Sequence, residues 1–371
     1  MKDMRKNETA AAEKKKNVLK NVAIGFIYLI ALFAAFAYVL SAIGGFGIPR
    51  SEDWKKALLI GGFVVYTVVF YIILSLAHEL GHLAFAKAYG FSVAGFSFWI
   101  VHVDRRAEKK TSFYRDAVAG STAVYPTEKT DLTGYRRVVG GGLLFSAIVT
   151  VLFALLFFVF PQPKVKIWFS VWTVGLAFTL INLIPYLIPT SDGTLLALLK
   201  NENELAAANA SLTVTRRLAA GKTFSEIEDG LFAVKGASDV FSAPIAYAGY
   251  LRLIEKGNYK SAESVLAGLS DQAVPDGERC REEFFLSLAT GKTIDSDLRA
   301  AAEEVLFADP ESPSSLRTLA LYAFKSGETE RAELLTETMK KRTETWYLAG
   351  EARSALIAAK TAMRGGKGML G

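Results

Sequence analysis

The sequence has few of the residues from which disulfide frameworks and metal centres are built. Its 371 residues include one cysteine, Cys280, and only three histidines. A single cysteine excludes an intrachain disulfide and agrees with a reducing compartment for the C-terminal half, where we expect Cys280 to be a small packing residue. No nucleic-acid-binding motif occurs although the net charge is +6, so we expect no nucleic-acid partner.

Apolar residues are abundant and unevenly distributed. They make up 51% of the chain, and the mean hydropathy is +0.26, yet 22% of the residues are charged. The two facts agree because the long apolar runs lie before Thr190, at about 21–44, 57–89, 138–160 and 167–189. Each run is long enough to cross a bilayer as a helix. The sequence therefore predicts a multi-pass integral membrane protein in contact with lipid.

Charge around these runs predicts an orientation. Basic residues crowd the leader 1–20 and recur in the loop that follows the second run. Because cytoplasmic loops carry an excess of Lys and Arg, we expect both termini in the cytoplasm, in the plasma membrane of a prokaryote. The first run exceeds the apolar core of a signal peptide, so we interpret it as an uncleaved span.

The predicted fold is mainly α-helical, with distinct regions along the chain. A transmembrane domain is expected over 21–200, interrupted near 91–126 by a segment rich in aromatic and β-branched residues that predicts a short membrane-associated β segment. Residues 201–362 have a soluble helical pattern and are expected to form a cytoplasmic domain. The Gly-rich end, 363–371, is predicted to be disordered.

Glycines recur through the C-terminal region. Gly221, Gly257, Gly291 and Gly327 are spaced by 34 to 36 residues, and Ala262 and Ala332 follow two of them at the same distance. A period near 34 residues built of helix pairs resembles tetratricopeptide repeats, which bind proteins or peptides. An unrelated helical domain with chance glycine spacing is the alternative. The repeat interpretation predicts a cytoplasmic protein partner.

The clearest chemical motif is HELGH near the end of the second apolar run. His78 and His82 are four residues apart, so a helix places both imidazoles on one face, where they can bind one metal ion. Glu79 lies beside them and is the candidate general base acting on a water molecule at zinc. Ionisable groups inside an apolar helix are costly and are commonly functional. The alternative is a helix end whose polar side chains extend to the interface.

A zinc hydrolase generally needs a third protein ligand. Asp192 is the best candidate, because it follows the prolines that close the fourth run and a carboxylate near the membrane needs a partner. It could instead cap the helix expected to begin near Thr194. His102 is the only other histidine, and we favour an interfacial or substrate-facing role for it over ligation.

An HExxH motif on one transmembrane helix, followed by N-x-x-P and Asp-Gly on a later one, resembles the site-2 protease family of intramembrane zinc metalloproteases, over about 57–200. The chain departs from the family pattern because Asn182 and Asp192 are two residues further apart and Ser191 stands where Leu is usual. The resemblance implies a membrane-spanning or signal-peptide-like substrate. It also implies the residue roles: zinc ligands His78, His82 and Asp192, and general base Glu79.

Two further features are ambiguous. The triplet Gly140 to Gly142 opens the third run and allows close helix packing, either around the site or without any catalytic link. Asn182 could hydrogen-bond an unwound substrate or serve helix packing, and an edge strand of the β segment could bind substrate in extended form.

The sequence thus predicts a zinc metalloendopeptidase that hydrolyses membrane-spanning proteins. A non-catalytic membrane scaffold that recruits a partner through its helical repeats is the alternative from another class. Metal transport is disfavoured because His, Asp and Glu are scarce in the other apolar runs.

Overall fold

The computed structural model of this chain is mainly helical, with one small β-sheet. The helices of the N-terminal half are apolar, the sheet follows the second of them, and the C-terminal half is a set of shorter helices. The residues that the structure describes are 22, 24–39, 41, 53–104, 110–113, 120–188, 190–233, 236–271 and 273–367.

Three stretches are long and apolar enough to cross a membrane, namely Trp54–Ala88, Leu132–Val159 and Val165–Leu183. A shorter apolar helix covers Ile24–Val39, and the rest of the predicted first span lies largely outside the described residues. The prediction of a membrane protein is thereby supported at the level of three spans, which correspond to the second, third and fourth apolar runs. The span predicted for the first run, at about 21–44, stays a prediction. The helices are α1 (Ile24–Val39), α2 (Asp53–Ala88), α3 (Tyr135–Val159), α4 (Pro163–Phe169) and α5 (Trp172–Leu183).

These helices bury one side and expose the other, although both sides are apolar. Phe63, Phe70 and Leu74 of α2 pack with Val171 and Phe178 in one buried cluster. The outward faces of α2 and α3 carry many exposed Val, Leu, Ile and Phe side chains. Water would penalise an exposed apolar surface of this size, whereas lipid chains would not. The pattern is consistent with helices that face lipid.

The sequence predicted one apolar run over about 167–189. The structure instead has two helices there, and the second of them ends before residue 189. The run is divided between α4 and α5 at Ser170 and Val171, and α5 ends at Leu183. Ile184 is already extended, with ψ of 116°, because the ring of the following Pro185 disfavours helical backbone at the residue before it. Residues 184–188, 190 and 191 therefore form no regular helix where the chain approaches the candidate site.

The β segment predicted for residues 91–126 is confirmed as a four-stranded antiparallel sheet. The strand order is β3-β2-β1-β4, so β4 lies at one edge. Strand β1 pairs with β2 on one side and with β4 on the other, with an irregularity between Val93 and Gly95. The strands are β1 (Phe91–Phe98), β2 (Val101–Asp104), β3 (Lys110–Phe113) and β4 (Gly120–Pro126).

The C-terminal half consists of short helices joined by tight turns. Three consecutive helix pairs, α8 with α9, α10 with α11 and α12 with α13, pack side by side, and α14 packs against several of them. The helices are α6 (Asp192–Leu198), α7 (Glu202–Ala219), α8 (Asp239–Glu255), α9 (Tyr259–Gly268), α10 (Asp276–Thr290), α11 (Ser296–Ala308), α12 (Pro313–Lys325), α13 (Thr329–Thr345) and α14 (Ala349–Lys367).

The four recurring glycines share one structural role. Each follows the end of a helix (α7, α8, α10 or α12) and has a positive φ between 70° and 87°. A left-handed residue after the last helical turn lets the chain reverse, and glycine adopts it without steric cost. Ala262 and Ala332, which follow at equal distances, are both buried between helices. The sequence period thus marks repeated helix ends, while membership of the tetratricopeptide class stays a prediction.

The C-terminal half contacts the apolar N-terminal half through α7 and the sheet. Leu212 of α7 packs against a cluster that includes Phe91 and Val138, and α7 contacts β4. Tyr125 of β4 and Tyr347 before α14 meet edge to face, with ring centroids 5.1 Å apart. Strand β4 therefore lies between the helical domain and the second apolar helix.

Candidate metal centre

Helix α2 places the motif residues on its inward face. His78 and Glu79 are each 7% exposed, and His82 is partly buried one turn further along. The rings of His78 and His82 lie at nearly right angles, with centroids 4.9 Å apart. The predicted arrangement of two imidazoles on one helical face is therefore present.

Helix α3 approaches these histidines at its glycine triplet. A Cβ atom on Gly142 would lie 2.7 Å from His78 Nε2, and one on Gly141 would lie 2.8 Å from Phe85. Any larger side chain at Gly142 would occupy the space between the two imidazoles. The triplet serves both of the roles considered. Gly142 leaves space at the two imidazoles, and Gly141 allows the close packing of α3 on α2.

Asp192 is brought to the same place by the start of α6. It is 8% exposed and occupies the first helical position, whereas the N-cap is Ser191, whose side chain accepts a hydrogen bond from Thr194 N. Asp192 therefore does not cap this helix, and the alternative considered for it is wrong. The Ser that departs from the family pattern provides the cap, which leaves the carboxylate of Asp192 free to face the histidines.

The segment between Asn182 and Asp192 is two residues longer than in the site-2 protease pattern. It contains a turn that is held by hydrogen bonds of one side chain. Thr194 Oγ1 accepts a hydrogen bond from Tyr186 N at 2.7 Å and donates one to Ile188 O at 2.7 Å. Tyr186 has a φ of +64°, which is uncommon for a non-glycine residue. Gly193 is required nearby, because a Cβ there would meet the main chain at the end of α5.

Three potential ligand atoms converge. Asp192 Oδ2 lies 3.3 Å from His78 Nε2 and 3.4 Å from His82 Nε2, and the two nitrogens are 3.3 Å apart. A tetrahedral zinc ion with bonds of about 2.0–2.1 Å separates its ligand atoms by about 3.3–3.4 Å. The triangle of donor atoms therefore has the size of one face of a zinc coordination tetrahedron.

The hydrogen bonds around the triangle favour a cation. His82 Nδ1 donates to Val138 O at 2.8 Å, and a carbonyl can only accept, so Nε2 of a neutral His82 turns its lone pair toward the triangle. Among the described residues, none donates a hydrogen bond to the buried Asp192 Oδ2. The donor set of two imidazoles and one carboxylate suits zinc.

The cluster of possible metal ligands found in the described part of the chain consists of His78, His82 and Asp192, and His102 is not in it. His102 is buried in β2, opposite Ser97 of β1 and Ser112 of β3. Asn182 lines the cavity at the metal cluster, but its side-chain nitrogen donates to Phe178 O in its own helix at 3.0 Å.

Glu79 and the triangle open into one cavity of about 660 Å³. Its walls are formed by residues of α1, α2, α3, α5, β4 and the turn before α6, including Tyr28, Tyr71, Ser121, Ile181 and Ile188. The cavity is thus bounded by the apolar helices on one side and by the edge strand on the other.

Sequence reasoning missed the partner of Glu79. Thr122 Oγ1 in β4 donates a hydrogen bond to Glu79 Oε2 at 2.6 Å. The two residues are 43 positions apart and belong to different elements, so no local pattern connects them.

Comparison of the sequence with protein-family models and with curated proteins, and comparison of the structure with solved structures, found no match. The resemblance to site-2 proteases therefore depends on the motifs and stays a prediction.

Proposed function

We propose that this chain is an integral membrane zinc metalloprotease that cleaves membrane-spanning proteins. The observation that carries the proposal is the triangle formed by His78 Nε2, His82 Nε2 and Asp192 Oδ2, whose edges of 3.3 to 3.4 Å suit a single zinc ion. A carboxylate of the right type for acid–base chemistry, that of Glu79, lies next to it in the same cavity.

In the proposed reaction, His78, His82 and Asp192 hold the metal. Bound zinc would polarise the peptide carbonyl and lower the pKa of water from about 15.7 to about 7. The Glu79 carboxylate takes a proton from the attacking water and delivers it to the leaving amine. Val138 orients His82 through its carbonyl, which fixes the tautomer that ligation requires.

The substrate proposed is a transmembrane segment or a signal-peptide-like remnant. An intact helix shields its peptide bonds with its own hydrogen bonds, so the segment must be extended before it is cut. Strand β4 lies at the edge of the sheet and lines the cavity, which favours pairing with an extended peptide. We propose that Asn182, at the cavity wall, hydrogen-bonds the unwound substrate.

The remaining parts of the proposal concern setting and partners. Both termini are proposed to be cytoplasmic, in the plasma membrane of a prokaryote, and the helical domain is proposed to bind a cytoplasmic protein. Contact of α7 and Tyr347 with the sheet places that domain next to β4.

The decisive experiment combines metal analysis with cleavage. Wild type and the variants His78→Ala, Asp192→Ala and Glu79→Gln are purified in detergent and compared with Asp297→Ala, which changes an exposed Asp in α11. Zinc is measured by elemental analysis, and cleavage is measured on a reconstituted single-span substrate.

We expect about one zinc per wild-type chain, its loss in His78→Ala and its reduction in Asp192→Ala. Glu79→Gln should retain zinc and lose cleavage. Zinc retained in full by Asp192→Ala would contradict the third ligand. A folded wild type that binds no metal would favour the scaffold alternative over an enzyme.

A further inference from the structure

Glu79 is held from outside its own helix. Thr122 Oγ1 donates a hydrogen bond to Glu79 Oε2 at 2.6 Å, within the usual range for an O–H···O hydrogen bond. In the proposed reaction Glu79 takes a proton from water, so its carboxylate can only accept this hydrogen bond. Strand β4 also approaches at Gly120, where a Cβ would lie 2.7 to 3.1 Å from atoms of the Glu79 side chain.

The position of Thr122 is itself fixed by the sheet. Its backbone lies opposite Phe96 of β1, and the neighbouring pair Ser97 and Ser121 is joined through hydroxyl groups 2.7 Å apart. Strand β4 is the last strand in the sheet order, so its second edge has no partner strand among the described residues. The residue that contacts Glu79 thus belongs to the strand that an extended peptide would join.

We propose that Thr122 is a positioning residue that fixes the Glu79 carboxylate for catalysis and couples its orientation to strand β4. This inference depends on the proposed peptide hydrolysis, in which Glu79 transfers the proton. A glutamate side chain on a helix has several rotamers, and one hydrogen bond from a rigid strand selects among them. A peptide that pairs with β4 would then act on the same strand that orients the base.

The test uses the full-length protein and three substitutions. Thr122→Val keeps the shape of the side chain and removes the donor, Thr122→Ser keeps the donor, and Thr111→Val makes the same change at an exposed position of β3. Measured quantities are kcat and KM for a reconstituted single-span substrate and the zinc content of each protein. Glu79→Gln defines the background rate.

We expect Thr122→Val to lower kcat by about 10- to 100-fold, the usual effect of losing an outer hydrogen bond to a functional group. Its KM and zinc content should match those of wild type. Thr122→Ser should recover most of kcat, and Thr111→Val should behave as wild type. This pattern separates orientation of the base from a general packing role, which would spare Val, because Val keeps the shape, and would affect Ser, because Ser lacks the methyl group.

A second readout needs no metal. In chelator-treated protein, the infrared difference between wild type and Glu79→Gln isolates the carboxylate band of Glu79. This band should change position in Thr122→Val and keep it in Thr122→Ser. An unchanged band in Thr122→Val would show that the hydroxyl does not hold the carboxylate.

The outcomes distinguish the two proposals. A wild type that binds zinc and cleaves, together with a Thr122→Val variant of equal kcat, overturns the role of Thr122 alone. Loss of zinc in Thr122→Val also overturns it, because the residue would then act on the metal ligands. A zinc-free or inactive wild type overturns the proposed function and this inference together.

Discussion

Two buried polar clusters, one in each half of the molecule, are built in opposite ways. In the helical domain the carboxylate of Glu282 is completely buried, and both of its oxygens accept hydrogen bonds or face guanidinium groups. In the membrane half the Asp192 carboxylate faces two imidazoles, and its buried Oδ2 accepts no hydrogen bond from a described residue. The groups around Glu282 are Arg317, Tyr250, Tyr247 and Arg281.

The difference separates a cluster that pairs its own charges from one that we propose binds a metal ion. Burial of charge is tolerated only when the charge is compensated, and at Glu282 the chain itself provides the compensation. Around Asp192 the nearest side chains are two imidazoles, and His82 turns the lone pair of its Nε2 toward the carboxylate, an arrangement that a cation would compensate. At Glu282 both carboxylate oxygens are paired by the chain itself, whereas the donor atoms around Asp192 converge on a point where a cation would fit.

The largest expected effect concerns chemistry and leaves stability unchanged. Glu79→Gln should lower kcat by about 10²- to 10⁴-fold, because it removes the group proposed to transfer the proton. Zinc content and thermal stability should match those of wild type. Glu128→Gln, an exposed site in the turn after β4, is the matched control. Cleavage at more than a tenth of the wild-type rate would assign the base to another residue.

At the Glu282 cluster we expect a loss of stability and no effect on the metal site. Glu282→Ala leaves the buried Arg317 without its carboxylate, which should cost about 3–5 kcal/mol of the stability of the helical domain. Hydrogen exchange of α10 and α12 measures that loss. Glu283→Ala changes the exposed neighbour and should have little effect. Equal protection in both variants would mean that the ion pair contributes nothing.

Acid should weaken the helical domain through the same residue. Burial alone would raise the pKa of the Glu282 carboxyl, but Arg317 and Arg281 outweigh it and lower that pKa below its ordinary value of 4.5. The stabilisation is therefore present above about pH 4.5 and is lost as the pH falls through the lower, folded-state pKa. The slope contributed by one proton is at most about 1.4 kcal/mol per pH unit.

Glu282→Gln provides the comparison for this titration. It should be less stable than wild type near neutral pH and should lack this part of the acid dependence. Hydrogen exchange of α12 measured from pH 7 to the onset of acid unfolding would show it. Parallel profiles for the two proteins would contradict the assignment.

The smallest effect is expected where the two halves meet. Tyr125 and Tyr347 form an edge-to-face pair, and such pairs contribute about 0.5–1.5 kcal/mol beyond their buried area. A double-mutant cycle with Tyr125→Leu and Tyr347→Leu, measured from chemical denaturation in detergent, should return a coupling of that size. Zinc content should remain that of wild type in all three variants. A coupling near zero would mean that the rings merely touch.

Much of the fold could be predicted because its signals are local. Runs of apolar residues predicted the positions of α2 and α3, and the aromatic and β-branched segment predicted the sheet. The recurring glycines predicted a repeat of helix pairs, and the structure places each of them with a positive φ after the end of a helix. The end of the fourth apolar run was predicted too late, because the apolar residues continue after Pro185 although the helix α5 ends before it.

The site was predictable only where sequence spacing determines geometry. Helical spacing joined His78 to His82, and the scarcity of acidic residues in the apolar half directed attention to Asp192. Thr122 was not predictable, because its contact with Glu79 depends on how the sheet lies on α2. The cap at Ser191 was missed for a different reason, since adjacent Ser and Asp are both good caps and only the backbone decides between them.

The length of α2 has a consequence for the membrane itself. The helix has 36 residues, about 54 Å, and His78 lies 24 residues beyond Trp54, about 36 Å along the axis. The hydrocarbon layer is about 30 Å thick, so a bilayer entered at Trp54 along the helix axis is crossed before the helix reaches the histidines. In the proposed function, water for hydrolysis would therefore reach the site from the far face without crossing the hydrocarbon layer. A protease of this kind could stay active continuously without a water path across the bilayer that would dissipate ion gradients.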